Sequence, residues 1–138
     1  MNTDPTIFIQ ARQLNNFVIL EIEGHITMFT SHEVRNSLVR CYKKNKGIIV
    51  DLSGVDFMDS SGVATLLEGL SWSRKRKLEF VLVGLGLNVY NAFYLNKLNT
   101  IFKIRAGNSI SIDPDHSYVS GSKKISEQAD REQGPGLS

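Results

Sequence analysis

The residues that could do chemistry stand together at one junction, in the run Asp59-Ser60-Ser61-Gly62 within "VDLSGVDFMDSSGVATLLEGL", residues 50–70. An aspartate or serine at such a junction can cap a helix, because a short oxygen side chain accepts hydrogen bonds from the free N–H groups of the first turn. Capping accounts for one polar residue but not for four in a row. It also leaves Gly62 unexplained, since alanine would favour the first turn by about 0.5–1 kcal/mol. Two other uses of the serines therefore stay open, a catalytic nucleophile and a hydroxyl that is modified.

A catalytic serine needs a base within hydrogen-bond reach, and this base is usually a histidine. The candidates are His25, His32 and His116, and none has the sequence context of a known triad. The run "DSSGV" is also not the Gly-x-Ser-x-Gly elbow. The pattern therefore favours a protein that is not an enzyme.

Metal and cofactor sites find no better support in the sequence. The histidines are scattered and the aspartates lack ligand spacing, so no metal ion is expected. The run "GLGLN" (residues 84–88) lacks the third glycine of a dinucleotide loop. We expect a plain turn there, and no cofactor.

The elements that must position the junction can be read from the spacing of apolar residues. An antiparallel hairpin, a first helix after the capping-box pair Thr30 and Glu33, and a strand–helix–strand unit are predicted. The "IIVDL" strand has no polar alternation, as expected of a strand buried on both faces. The predicted strands are residues 6–13, 17–24, 48–52 and 78–84, and the predicted helices are residues 31–44, 61–73 and a third that begins near residue 89. Residues 101–104 are expected to bring the chain back towards the sheet.

Composition narrows the class of protein. The chain has 138 residues, 41% of them hydrophobic, which suits one soluble domain. A formal charge of +2 is too near balance to indicate direct nucleic-acid binding. No secretion signal and no apolar stretch of about 20 residues is evident, so a cytoplasmic protein without membrane insertion is expected.

Three further features have two readings each. The basic run Arg74-Lys75-Arg76-Lys77 suits the solvated end of a helix, or a patch for phosphate or an acidic partner. Cys41, the only cysteine, suits packing better than chemistry. Residues 119–138 are almost devoid of apolar content, so a domain over residues 1–118 followed by a disordered tail is predicted, although the tail could also be a tether or a regulatory site.

The segment "VDLSGVDFMDSSGVATLL" resembles the phosphorylation-site signature of the STAS domain family, and in particular of the bacterial anti-sigma factor antagonists. "LEIEGHIT", with Thr30 and Val34, is similar to the second strand and first helix of that family, and "LNKLNTIFKI" to its closing segment. The resemblance covers about residues 5–113. It implies an α/β fold with a mixed sheet of four to five strands covered by helices.

The resemblance also implies a function. In the family, the serine after the aspartate is phosphorylated by a partner anti-sigma factor that is itself a serine kinase, and a serine phosphatase reverses the reaction. Carried over, this makes Ser60 the phosphorylation site of an anti-sigma factor antagonist that regulates sigma-factor-dependent transcription. The residues expected to bind the partner are Asp56, Asp59, Ser61, Gly62, Thr27 and Thr30.

Two positions depart from the family pattern. Thr27 stands where an acidic residue is usual, and Lys97 where glycine is common. Both bear on the choice of partner. The alternative reading is a STAS scaffold, or an accessory subunit of a stress-signalling or membrane-transport assembly, in which Ser60 is not modified.

Overall fold

The computed structural model describes residues 7–42, 46–105, 110–112 and 118–120. Its main body is a five-stranded sheet in the order β1-β2-β3-β4-β5, in which β1 runs antiparallel to β2 and all other neighbours are parallel. The strands of this sheet are β1 (Ile7–Leu14), β2 (Phe17–Ile26), β3 (Gly47–Met58), β4 (Glu79–Val83) and β5 (Lys103–Arg105). The helices are α1 (Ser31–Cys41), α2 (Ser60–Lys75), α3 (Leu87–Leu95) and a 3-10 turn (Leu98–Thr100).

The predicted fold class is confirmed. The long apolar strand β3 lies at the centre of the sheet, as the absence of polar alternation in "IIVDL" indicated. A two-residue turn joins β1 to β2, and Asn15 adopts φ 57° there, a left-handed conformation that asparagine tolerates better than most residues.

The main hydrophobic core lies between the sheet and the three helices, which share one face of it. Each helix contributes fully buried apolar side chains to this core, such as Leu38 of α1, Leu66 of α2 and Phe93 of α3. Alternate residues of the strands, such as Ile49 and Phe17, form a second and smaller cluster on the opposite face. Burial on both faces explains why β3 carries no polar residue between Ile48 and Val50.

The predicted capping box at the start of α1 is wrong. Thr30 does precede the helix, but its side chain makes no cap hydrogen bond. Its Oγ1 instead accepts from the backbone N–H of Thr27 at 2.9 Å and donates to the carbonyl oxygen of His25 at 2.8 Å. The hydroxyl therefore closes the loop before the helix, which is a competing use open to any threonine at a helix start.

A second, two-stranded sheet pairs β6 (Ile110–Ile112) with β7 (Tyr118–Ser120) antiparallel. Val119 and Ser120, the first two residues of the predicted tail, thus lie in β7. The rest of the predicted tail lies outside the residues that the structure describes, and its disorder stays a prediction.

Candidate functional site

Three loops follow strands at the carboxyl edge of the sheet, which we define as residues 27–30 after β2, residue 59 after β3 and residues 84–86 after β4; the third lies beside Ser53. They share an edge because β2, β3 and β4 are parallel and end on the same side. The backbone N–H of Asp59 donates to the carbonyl oxygen of Ile26 at 3.1 Å, so the first two loops are directly joined. The run singled out in the sequence therefore lies beside the loop that contains Thr27 and Thr30.

Ser60 is the first residue of α2 and is exposed. The sequence predicted a helix over residues 61–73, so α2 begins one residue before the predicted start. Its hydroxyl makes no hydrogen bond with any residue in the described part of the chain. An exposed hydroxyl at a helix N-terminus is accessible to a modifying enzyme, and a negative charge added there faces the positive end of the helix dipole.

Asp59 is the N-cap of α2, and both of its carboxylate oxygens are engaged. Oδ1 accepts from the backbone N–H groups of Ser61 at 2.8 Å and Gly62 at 3.3 Å. Oδ2 accepts from the backbone N–H of Met28 at 3.1 Å. One side chain thus fixes the first turn of α2 and the loop after β2 with respect to each other.

The loop after β2 is held by its own threonines. Besides the two bonds of Thr30, Oγ1 of Thr27 accepts from the backbone N–H of Phe29 at 3.1 Å. The carbonyl oxygen of Thr27 accepts from Thr30 at 3.0 Å and from Ser31 at 2.7 Å. Thr30 is buried and Thr27 is half-buried, so both shape the loop more than they face solvent.

Gly62 is required by close packing within the chain. A Cβ atom on it would lie 2.5 Å from Cγ of Met58 and 2.8 Å from Cγ2 of Ile26. Gly62 is buried, and its missing side chain lets the first turn of α2 approach the ends of β2 and β3. The group that approaches this backbone is therefore part of the protein itself.

The other predicted site residues, Ser61 and Asp56, differ in solvent exposure. Ser61 is half-buried, and its carbonyl oxygen accepts from Oγ1 of Thr65 at 2.9 Å. Asp56 is exposed near the end of β3. Five of the six predicted partner-binding residues thus lie in the loop after β2 or at the start of α2, and Asp56 lies three residues before Asp59 in β3. Asp56, Asp59, Ser61 and Thr27 are open to solvent to some degree, and Gly62 and Thr30 are buried.

Sequence reasoning missed the apolar side chains around this site. Met28 is 66% exposed, Phe29 77% and Phe57 51%. The ring of His25 lies edge-on to that of Phe57, with centroids 6.1 Å apart. The available signal was two consecutive large apolar residues in a loop, between Gly24 and the start of α1, where no helical or strand periodicity requires them.

The histidines take no part in a metal site or triad that the described residues reveal. His25 lies in β2 against Phe57, His32 is exposed in the first turn of α1, and His116 lies outside the described ranges. Within those ranges, no group of three or more histidine, cysteine, aspartate or glutamate side chains could hold a metal ion. Over the same ranges, no helix has the length and apolar content needed to cross a membrane.

The sequence segment around Ser60 carries negative charge only. Between residues 51 and 73 there are four carboxylates and no lysine or arginine, and Glu68 among them is paired with Arg35 of α1. Asp56 and Asp59 are the carboxylates nearest to Ser60 along the chain. The segment that presents Ser60 thus carries negative charge before any modification.

The fold and the junction together define an α/β domain that presents a free serine beside an aspartate cap. The family model of the STAS domain matches residues 8–108. The chain belongs to the STAS domain family.

Several relatives share this fold. Over 102 residues the chain is 29% identical to the anti-sigma-B factor antagonist of Listeria monocytogenes serovar 1/2a, which covers 72% of this chain and 88% of that protein. The crystal structure of an anti-sigma factor antagonist from Mycobacterium paratuberculosis superposes with a TM-score of 0.64 at 20% identity, over 75% of this chain and 89% of that one. The Bacillus cell fate determinant SpoIIAA in its phosphorylated form gives a TM-score of 0.57 at 17% identity, over 70% of this chain and 90% of that one. At these identities the structural matches establish the fold alone.

Proposed function

We propose that this protein is an anti-sigma factor antagonist controlled by phosphorylation of Ser60. Unphosphorylated, it binds and sequesters an anti-sigma factor with serine kinase activity, and so frees a sigma factor. Phosphorylation by that kinase ends the binding, and a serine phosphatase restores it. The similarity to the Listeria anti-sigma-B factor antagonist supports the role, and the solved phosphorylated form of SpoIIAA is an example of a protein of this fold that carries a phosphate.

The proposal rests on one observation, the exposure of the Ser60 hydroxyl and its lack of a hydrogen-bond partner among the described residues. It is exposed at the first position of α2, and in the described part of the chain it has no hydrogen-bond partner, whereas the neighbouring Asp59 uses both oxygens for structure. A kinase can therefore reach Ser60 without breaking any contact that holds the junction. Capping, the simplest alternative use of Ser60, is performed by Asp59.

A phosphate at Ser60 changes the carboxyl edge by charge. It adds about −1.5 to −2 charges and three acceptor oxygens. The added charge stands next to Asp59 and four residues from Asp56 in sequence, so it adds to negative charge that is already present. A partner surface that fits the two carboxylates would meet this additional charge as well. Its affinity for the protein can therefore fall although the domain itself does not refold.

The partner-binding surface combines polar and apolar groups. Asp56, Asp59, Ser61 and Thr27 supply its polar part, and the exposed side chains of Met28, Phe29 and Phe57 supply its apolar part. Exposed aromatic residues beside a polar rim are typical of energetic centres in interfaces. Gly62 and Thr30 contribute by holding the two loops in place.

The test uses Ser60→Ala as bait in lysate of the source cell, with Ser71→Ala, an exposed serine of α2 outside the proposed surface, as the matched control. Ser60→Ala should retain a serine kinase through washing in the presence of ATP, while Ser71→Ala should release it after taking up one phosphate on Ser60, seen by mass spectrometry. Retention of the same proteins by both variants, with no phosphate on either, would favour the scaffold alternative.

A further inference from the structure

The edge of the sheet opposite Ser60 is rich in cations. Because α1, α2 and α3 each return from the carboxyl edge of the sheet to its amino edge, the C-terminal ends of these helices lie beside the starts of the parallel strands. We define the basic edge as the exposed residues Lys46, Arg74, Lys75, Arg76, Lys77 and Lys97. Arg74 connects two parts of it, since its Nη2 donates to the carbonyl oxygen of Ile101 at 3.5 Å.

Very little negative charge offsets these cations. None of the six forms an ion pair with a residue that the structure describes. The one carboxylate at the start of a neighbouring strand, Glu79, is bound to Lys103 at 2.6 Å. The described part of this edge therefore presents a positive surface to solvent.

Large apolar side chains stand among these cations. Tyr94 and Leu95 in the last turn of α3 are 58% and 77% exposed, and Ile101 after the 3-10 turn is 41% exposed. Lys97 follows directly on this turn of α3, and Arg74 is bonded to Ile101 itself. A small apolar group thus stays outside the core, next to Lys97 and Arg74.

We propose that the basic edge binds the surface of an anionic lipid bilayer. Lysine and arginine are attracted to anionic headgroups, while exposed aliphatic and tyrosine side chains are accommodated at the boundary between headgroups and acyl chains. A nucleic acid would satisfy the cations but would gain nothing from Leu95 and Ile101. An acidic protein would need a matching concave apolar surface for side chains that come from two separate elements, the last turn of α3 and the end of the 3-10 turn.

This binding would be to the membrane surface only, and it would leave the phosphorylation site Ser60 accessible. The carboxyl edge, with Ser60 and Asp59, lies at the other end of the strands and would face away from the lipid. The proposal thus does not depend on phosphorylation of Ser60, and Ser60→Ala should bind vesicles as well as the wild type does.

The test is flotation of the full chain with vesicles of phosphatidylcholine and phosphatidylglycerol at a ratio of about 70:30, against vesicles of phosphatidylcholine alone. The bound fraction should be at least about tenfold higher on anionic vesicles at low salt, and should fall as salt screens the charges. The triple variant Lys75→Gln, Lys77→Asn, Lys97→Asn should lose about tenfold or more in affinity. Asparagine is chosen at 77 and 97 because both lysines have φ near +60°.

Two controls distinguish binding by the basic edge from non-specific attraction between the cations of the protein and the anionic vesicle. Arg12→Gln, Arg35→Gln, Arg105→Gln removes the same charge elsewhere and should change binding by less than about threefold. Leu95→Gln should weaken binding severalfold, while Leu87→Gln, 74% exposed at the other end of the same helix, should not. Equal losses for the two triple variants, or binding to a polyglutamate peptide but not to anionic vesicles, would overturn the proposal.

Discussion

The backbone N–H of Met28 donates a hydrogen bond of 3.1 Å to Oδ2 of Asp59, across 31 residues of sequence. Through this bond the loop after β2 and the first turn of α2 form one unit. The exposed side chains of Met28 and Phe29 are therefore held beside the free hydroxyl of Ser60. Any change at Asp59 should affect the stability of the junction and the position of the apolar contact residues together.

Asp59→Ala should lower the free energy of unfolding by about 1–3 kcal/mol, because it removes the cap of α2 and leaves the N–H of Met28 without its acceptor. Asp56→Ala is the matched control, since Asp56 is exposed and makes no hydrogen bond that the structure describes; it should change stability by less than about 0.5 kcal/mol. Urea unfolding of the three proteins measures both. Equal stabilities of the two variants would contradict the role given to Asp59.

Gly62→Ala should destabilise the protein by about 1–3 kcal/mol even though alanine is the better helix former. The new Cβ would lie 2.5 Å from Cγ of Met58, and the carbonyl oxygen of Ile26 is only 3.1 Å away. Gly86→Ala is the control, because a Cβ atom on Gly86 would meet no other atom within 4 Å and the φ of this residue is −71°. It should cost less than about 1 kcal/mol. A stabilising Gly62→Ala in thermal unfolding would show that the helix does not pack as described.

The sequence predicted the elements around the site because each leaves a periodic pattern. The unbroken apolar run of β3 and the helical spacing after Gly62 placed Ser60 at the helix start to within one residue. The contacts of Thr30 could not be found in this way, because a threonine before a helix can cap it or close the preceding loop, and only the path of the loop decides between them.

The apolar part of the site was missed for a similar reason. Exposure of Met28, Phe29 and Phe57 depends on which elements cover them, and a single sequence does not show coverage. The role of Gly62 was also open, since the sequence shows that a side chain is absent but not which group, Ile26 and Met58 in this case, occupies the space.

The stability of the protein should fall at alkaline pH because of Cys41 and Tyr42. Burial raises the pKa of the Cys41 thiol above its ordinary 9.0 and that of the Tyr42 hydroxyl above its ordinary 10.0. Since both groups lose their protons more readily in the unfolded chain, this part of the stability is complete below those values and is lost as pH rises through the folded pKa values.

Urea unfolding at intervals from about pH 8 to 11 should show this decrease, and Cys41→Ala should make it shallower. A free energy of unfolding that rises over this interval, or the same slope in the variant, would contradict the assignment.

Phe29→Ala should weaken binding of the anti-sigma factor kinase by more than about 1 kcal/mol while leaving stability within about 0.5 kcal/mol, because its side chain is 77% exposed and contributes to the proposed interface. Phe8→Ala is the matched control, since Phe8 is 61% exposed on β1 at the edge of the sheet. Calorimetric titration with the kinase recovered on the Ser60→Ala bait compares them. Equal losses of affinity in the two variants would show that Phe29 is not part of the interface.

The most direct test of the proposed switch is one titration series that measures the affinity of the same kinase for unphosphorylated protein, Ser60→Ala, Ser60→Asp and protein phosphorylated on Ser60. Unphosphorylated protein and Ser60→Ala should bind alike. The phosphorylated form should bind at least about tenfold more weakly, because like charges brought together in an interface cost several kcal/mol, and Ser60→Asp should lie between because one carboxylate carries less charge than a phosphate. Equal affinities of all four forms would contradict the proposal and leave Ser60 as an unmodified residue of a scaffold domain.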